Sequence, residues 1–226
     1  MGTGQTSAVT SGIIETNKVI RNTYWLLSIT LLFSAFTAWL SIQFNMPHPG
    51  IILTLVGYFG LLFLTNKFRN SGLGLAFIFA LTGFMGLTLG PIVNAYLNYY
   101  SNGAELVVAA MGTTGIIFLT LSWYALATKR NFSFMGGFLM VGILVAFLAS
   151  LGLAAGSYFG YYFSGAALSV SAIFVLLMSG LILYQTSEII HGGEKNYIMA
   201  TITLYVVLYN LFTSLLHLLG AFAGED

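Results

Sequence analysis

Glu188, Glu194 and Lys195 are the charged side chains between Arg130 and Glu225, and titratable His191 stands among them. They sit in Gly180–Gly220, which reads as an apolar helix, a short polar hinge and a second apolar helix. Gln185 lies one turn before Glu188. Asn210 and His217 lie inside the second helix. Ionisable groups near or within apolar spans are candidates for handling protons or cations. Glu188 is read either as such a sensor or as an interfacial carboxylate. His191-Gly192-Gly193 has the form of a helix end with a glycine cap, and Glu194 suits the positive end of the helix that follows.

Two further patterns could line a polar path. Thr203, Asn210, Thr213 and His217 recur at helical spacing, with Ser214 beside them. This face is expected to point into a bundle, as hydrogen-bonding glue or as an aqueous path. In Gly90-Pro91-Ile92-Val93-Asn94, Pro91 has no N–H to offer the carbonyl of Leu87. The expected helix kink is either purely structural or lines a pore, with Asn94 and Asn98 on one face.

Enzyme chemistry finds no support. There is no Gly-x-Ser-x-Gly, no pair of intramembrane aspartates and no His-Glu-x-x-His, and the three histidines are scattered. No cysteine is present, so disulfides and thiolate chemistry are excluded. No cofactor or metal is expected. Every lysine falls in a loop or tail, which leaves no intraspan amine for a Schiff base. A net charge of +1 argues against a nucleic-acid partner, which needs a basic face.

The elements that must carry these residues follow from composition. The chain has 226 residues, 58% hydrophobic and 6% charged, with mean hydropathy +0.92. A soluble domain carries about 25% charge, so the solvent here is lipid. Backbone in lipid must bond internally, and the apolar runs do not alternate as barrel strands do. The fold expected is an all-α polytopic bundle. Its seven transmembrane helices fall at approximately 24–44, 51–65, 73–98, 104–128, 132–155, 166–190 and 197–222. Residues 1–22 form a polar N-terminal tail without the pattern of a cleaved signal peptide. Glycines 83, 86 and 90, and Gly142, Ala146 and Ser150, make smooth strips for close helix packing.

Lys18, Arg21, Lys67, Arg69, Lys129, Arg130 and Lys195 all fall on one side of such a topology. The positive-inside rule then places the N-terminus in the cytoplasm and the C-terminus in the periplasm.

Several stretches, taken in order, resemble the Bax inhibitor-1 family over nearly the whole chain. They are Arg21-Asn22-Thr23-Tyr24, Pro49 to Gly57, Thr82-Gly83-Phe84, Leu89-Gly90-Pro91-Ile92, Ser133 to Gly137, Ile189 to Glu194 followed by Asn196-Tyr197-Ile198, and Leu204-Tyr205. The likeness is greatest to the bacterial branch that modulates the membrane-anchored protease FtsH. It implies a multi-pass inner-membrane protein that binds the FtsH complex and restrains its degradation of membrane proteins, with residues 1–22 as the contact. The family also contains pH-responsive calcium or proton leak proteins. Their two aspartates correspond here to Gln185 and Val207, so a carboxylate pair sharing a proton cannot form at these positions. A cation leak is therefore the second reading.

Overall fold

Apolar helix-forming runs broken by proline and glycine give seven α-helices among the described residues of the computed structural model. It describes the backbone of residues 3–161 and 163–224, with side chains from residue 15 onward. The helices are α1 (Thr3–Gln43), α2 (Ile51–Lys67), α3 (Gly72–Tyr99), α4 (Gly103–Thr128), α5 (Gly136–Tyr158), α6 (Ser164–Ile190) and α7 (Tyr197–Ala223). A short 3-10 turn, Ser133–Met135, precedes α5. No strand occurs among the described residues. Six of the helices are long and apolar enough to cross a membrane, and α2 is a shorter apolar helix.

The sequence sets residues 1–22 outside the first helix, whereas α1 begins at Thr3. Hydropathy marks where lipid begins, and a helix can continue past that point into water. The far end of α1 is also sharper than prolines alone require. Asn45 adopts φ 47, Met46 N–H reaches the Ser41 carbonyl at 2.9 Å and Asn45 N–H reaches Ile42 at 3.0 Å. This pair of bonds around a left-handed residue is a Schellman ending built on asparagine.

The chain divides into two compact units. The first comprises Met1–Ala95 and Glu188–Tyr205, and the second Tyr96–Ser187 and Val206–Asp226.

In the first unit, α1 and α3 pack through glycine. A Cβ on Gly90 would lie 2.6 Å from Ser41 Cβ and 2.7 Å from the Ala38 carbonyl, and one on Gly83 would lie 2.7 Å from the Phe33 ring. Gly86 meets the Ser34 carbonyl and the Thr37 hydroxyl. The α3 strip is thus a packing face. Facing it, α1 carries buried hydroxyls at Ser34, Thr37 and Ser41. From α7, buried Tyr205 places its hydroxyl 2.6 Å from Ser34 Oγ and donates to the Thr82 carbonyl at 3.2 Å. The three helices are therefore joined by satisfied polar groups.

The carbonyl expected to lose its partner at Pro91 has found another. Ser41 Oγ donates to the Leu87 carbonyl at 3.0 Å, with Ser41 buried. Ser41→Ala should leave that carbonyl bare and cost about 1–3 kcal/mol. Thermal unfolding in lipid nanodiscs, wild type against variant, measures the loss. Ser41→Thr, which keeps the donor, separates the lost bond from the change in packing.

In the second unit, Gly142 of α5 receives the Leu177 side chain of α6, and Gly180 of α6 faces Leu139. With Ala146 buried, this bears out the small-residue packing read for α5. Ser187 of α6, fully buried, accepts from Phe132 N–H at 2.9 Å and donates to the Arg130 carbonyl at 3.3 Å. It thereby fastens the α4–α5 link.

Candidate functional site at the hinge between α6 and α7

The hinge is built by three capping interactions in six residues. Gly192 adopts φ +76, a conformation open to glycine at little steric cost. Gly193 N–H then bonds the Glu188 carbonyl at 2.8 Å, and Gly192 N–H bonds Ile189 at 3.3 Å. This is the glycine-capped ending expected from His191-Gly192-Gly193. Gly193 has a second duty, because the Glu188 carboxylate lies where its Cβ would stand. Glu194 Oε1 accepts from Asn196 N–H at 2.8 Å. The carboxylate thus serves the start of α7 by a direct bond, in addition to the dipole effect the sequence suggests.

Asn196 is the functional residue the sequence reading missed. Its Oδ1 accepts from Ile198 N–H at 3.0 Å and Met199 N–H at 3.1 Å, so it is the N-cap of α7. Its Nδ2 donates to the Arg69 carbonyl at 3.1 Å and to Asn70 Oδ1 at 2.8 Å. One side chain therefore starts a helix and ties it to the α2–α3 link. An asparagine immediately before an apolar helix is a recognisable signal. The bonds to Arg69 and Asn70 have no local signature.

Beside the hinge lies an open cavity of about 260 Å³, lined on one side by Glu15, Thr16 and Val19 of α1 and on the other by Ile189–Gly192, Glu194 and Lys195. Its floor is a small apolar cluster of Val19, Ile189 and Ala200, with Ile20 and Tyr197 packed against it. The cavity thus combines two carboxylates, one ammonium and one imidazole over an aliphatic base. Among the described residues no group of His, Cys, Asp or Glu is placed to hold a metal ion.

Of the hinge residues singled out from the sequence, His191, Glu194 and Lys195 line the cavity. Glu188 is half-buried in the last turn of α6, and Gln185 is buried one turn earlier. Asn94 is half-buried in α3. Thr203, Asn210, Thr213 and His217 are half-buried, while Leu204, Tyr205, Val207, Leu211 and Leu216 fill the buried positions. Thr203 donates to the Met199 carbonyl at 3.1 Å, Asn210 to Val206 at 2.8 Å and Thr213 to Tyr209 at 3.0 Å. His217 reaches another helix, with Nδ1 at 2.8 Å from Ser171 Oγ of α6.

Helices of this length and apolarity, joined by short capped links, define a multi-pass helical membrane protein. The family model described as inhibitor of apoptosis-promoting Bax1 matches residues 16–224, and the chain belongs to this Bax inhibitor-1 family. It is 48% identical to the Escherichia coli K12 protein named modulator of FtsH protease YccA, over 96% of this chain and 95% of that one. The same sequence match in E. coli O6:H1 carries the name inner membrane protein YccA. An uncharacterized protein of Pseudomonas aeruginosa is 50% identical over 94% of this chain and 93% of its own. With these relatives, the six long apolar helices make the chain a multi-pass inner-membrane protein.

Proposed function

We propose that this protein associates with the FtsH protease complex and restrains its degradation of membrane proteins, without chemistry of its own. The observation that carries this reading is the likeness to the modulator YccA along nearly the full length of both chains. All seven helices cross the membrane in this reading, with the N-terminus cytoplasmic and the C-terminus periplasmic. α2 has 17 residues and covers about 25 Å, which a locally thinned bilayer accommodates at modest cost. The seven basic residues then share the cytoplasmic side.

Residues 1–22 are the proposed contact. The side chains of 1–14 lie outside the described residues, while Glu15, Thr16 and Val19 line the hinge cavity. The hinge and the start of α1 together make the surface we assign to the protease.

The experiment is FtsH in lipid degrading a membrane substrate, with and without this protein, at matched ATP. We expect slower degradation, at least severalfold at molar excess, and recovery when residues 1–14 are deleted. An unchanged rate together with failure to co-purify would overturn the reading. The cation-leak alternative gains no support from Gln185 and Val207, which are buried and uncharged where the leak proteins carry aspartates.

A further inference from the structure

The cytoplasmic-side end of α1 is held less firmly than the rest of that helix. Within α1, Ser28 donates to the Tyr24 carbonyl at 2.9 Å, Thr30 to Leu26 at 2.9 Å and Thr37 to Ser34 at 2.9 Å. Thr23 does not follow them. It is fully buried, and its Oγ1 has no hydrogen-bond partner among the described residues. A buried hydroxyl without a partner has lost water and gained nothing in exchange.

The bond that crosses from α7 at this level is also weak. Thr201 Oγ1 lies 3.2 Å from the Thr23 carbonyl and 2.7 Å from its own Tyr197 carbonyl. One hydroxyl hydrogen serves one of these well, and the shorter bond is within α7. Residues 15–23 pack against the hinge through the small Val19–Ile189–Ala200 cluster. Beyond that cluster is the open cavity under Glu15 and Thr16. Just past Thr23 the contrast is sharp, with Leu27 and Thr30 fully buried and Ser34 bonded to Tyr205.

We propose that residues 15–23 of α1 form a releasable arm docked on the α6–α7 hinge, and that undocking it exposes Ile189 and opens the hinge cavity. Release hydrates the Thr23 hydroxyl, leaves Thr201 with its bond to Tyr197 and exposes little apolar surface. The locked remainder of α1 stays in place. Any partner that takes hold upstream of residue 15 would thereby change the shape of the hinge. This inference stands apart from the protease reading and needs no FtsH to test.

The chain has no cysteine, so Ile189→Cys creates a single thiol, covered by the arm at a position 1% exposed in the native chain. The full-length variant in nanodiscs is treated with a water-soluble maleimide, and the labelling rate reports opening. Thr23→Val keeps the carbonyl and removes the unbonded hydroxyl, so it should slow labelling about tenfold. Val19→Ala weakens the cluster and should speed it about tenfold. Amide exchange without the cysteine gives an independent reading. Residues 15–23 should exchange faster than 26–34, and Thr23→Val should slow the first segment only. Equal exchange in the two segments, or a Thr23→Val variant that labels as fast as or faster than its parent, overturns the arm.

Discussion

Gly86→Ala should be among the most damaging single-methyl additions in the chain, costing about 2–3 kcal/mol. The new Cβ would meet the Ser34 carbonyl and the Thr37 hydroxyl of α1. A carbonyl in a helix cannot swing aside as a side-chain end can, so α1 and α3 must separate. Overpacking of this kind costs about 1–3 kcal/mol. Separation would also stretch the Ser41 bond to the Leu87 carbonyl and the Tyr205 bridge between Ser34 and Thr82, which places the effect at the upper end. For a chain of this size, roughly 2–4 °C of Tm follows each kcal/mol. Gly112→Ala on α4 is the control, because a Cβ there has no neighbour within 4 Å. It should hold or gain about 0.5–1 kcal/mol from helix propensity. If the two variants melt together, the α1–α3 contact is not close-packed.

The same contact shows what the sequence could and could not reveal. Small residues at 83, 86 and 90 announce a packing face, and the structure has one. The limits of α3, α4 and α7 lie within a residue or so of the expected spans, whereas α1 begins at Thr3 rather than near 24 and α5 covers Gly136–Tyr158 rather than 132–155. Burial faces were not legible. In a chain this apolar, the lipid side and the protein side of a helix are built of similar residues, and hydropathy hardly separates them. Polar spacing does not separate them either. Thr203, Asn210, Thr213 and His217 on α7 share one face and stay half-buried, whereas Thr23, Thr30, Ser34, Thr37 and Ser41 on α1 share one face and are buried. The difference is the opposite wall. α1 meets the glycines of α3 and the hydroxyl of Tyr205, which supply close approach and a bonding partner. On α7, Thr203, Asn210 and Thr213 bond back to their own helix, and His217 reaches Ser171 of α6. The hinge was legible as a place, from its charges and glycines. Its tie to residues 69–70 was not, because those partners are more than 120 residues away in sequence.

That tie sets the second large expectation, at Asn196. Asn196→Ala should cost about 2 kcal/mol, because it removes two functions together. The Oδ1 cap on Ile198 and Met199 is worth about 1 kcal/mol. The Nδ2 bonds to the Arg69 carbonyl and Asn70 Oδ1 contribute about the same. Asn196→Asp separates the two. A carboxylate caps the helix N-terminus at least as well as an amide and favours its dipole, so that half should survive. It has no hydrogen for Arg69 or Asn70, and its charge would face the oxygens that Nδ2 now serves. Thermal unfolding in nanodiscs should therefore rank native above Asp and Asp above Ala. Amide exchange gives the sharper test. In Asn196→Asp the first turn of α7 should stay protected while the α2–α3 link around residues 68–71 opens severalfold faster. In Asn196→Ala both should open. If Asn196→Asp leaves the link as protected as in the native chain, the hinge is not fastened through this amide. The cap alone would then account for the residue, and any movement of the hinge would pass to α7 without reaching the α2–α3 link.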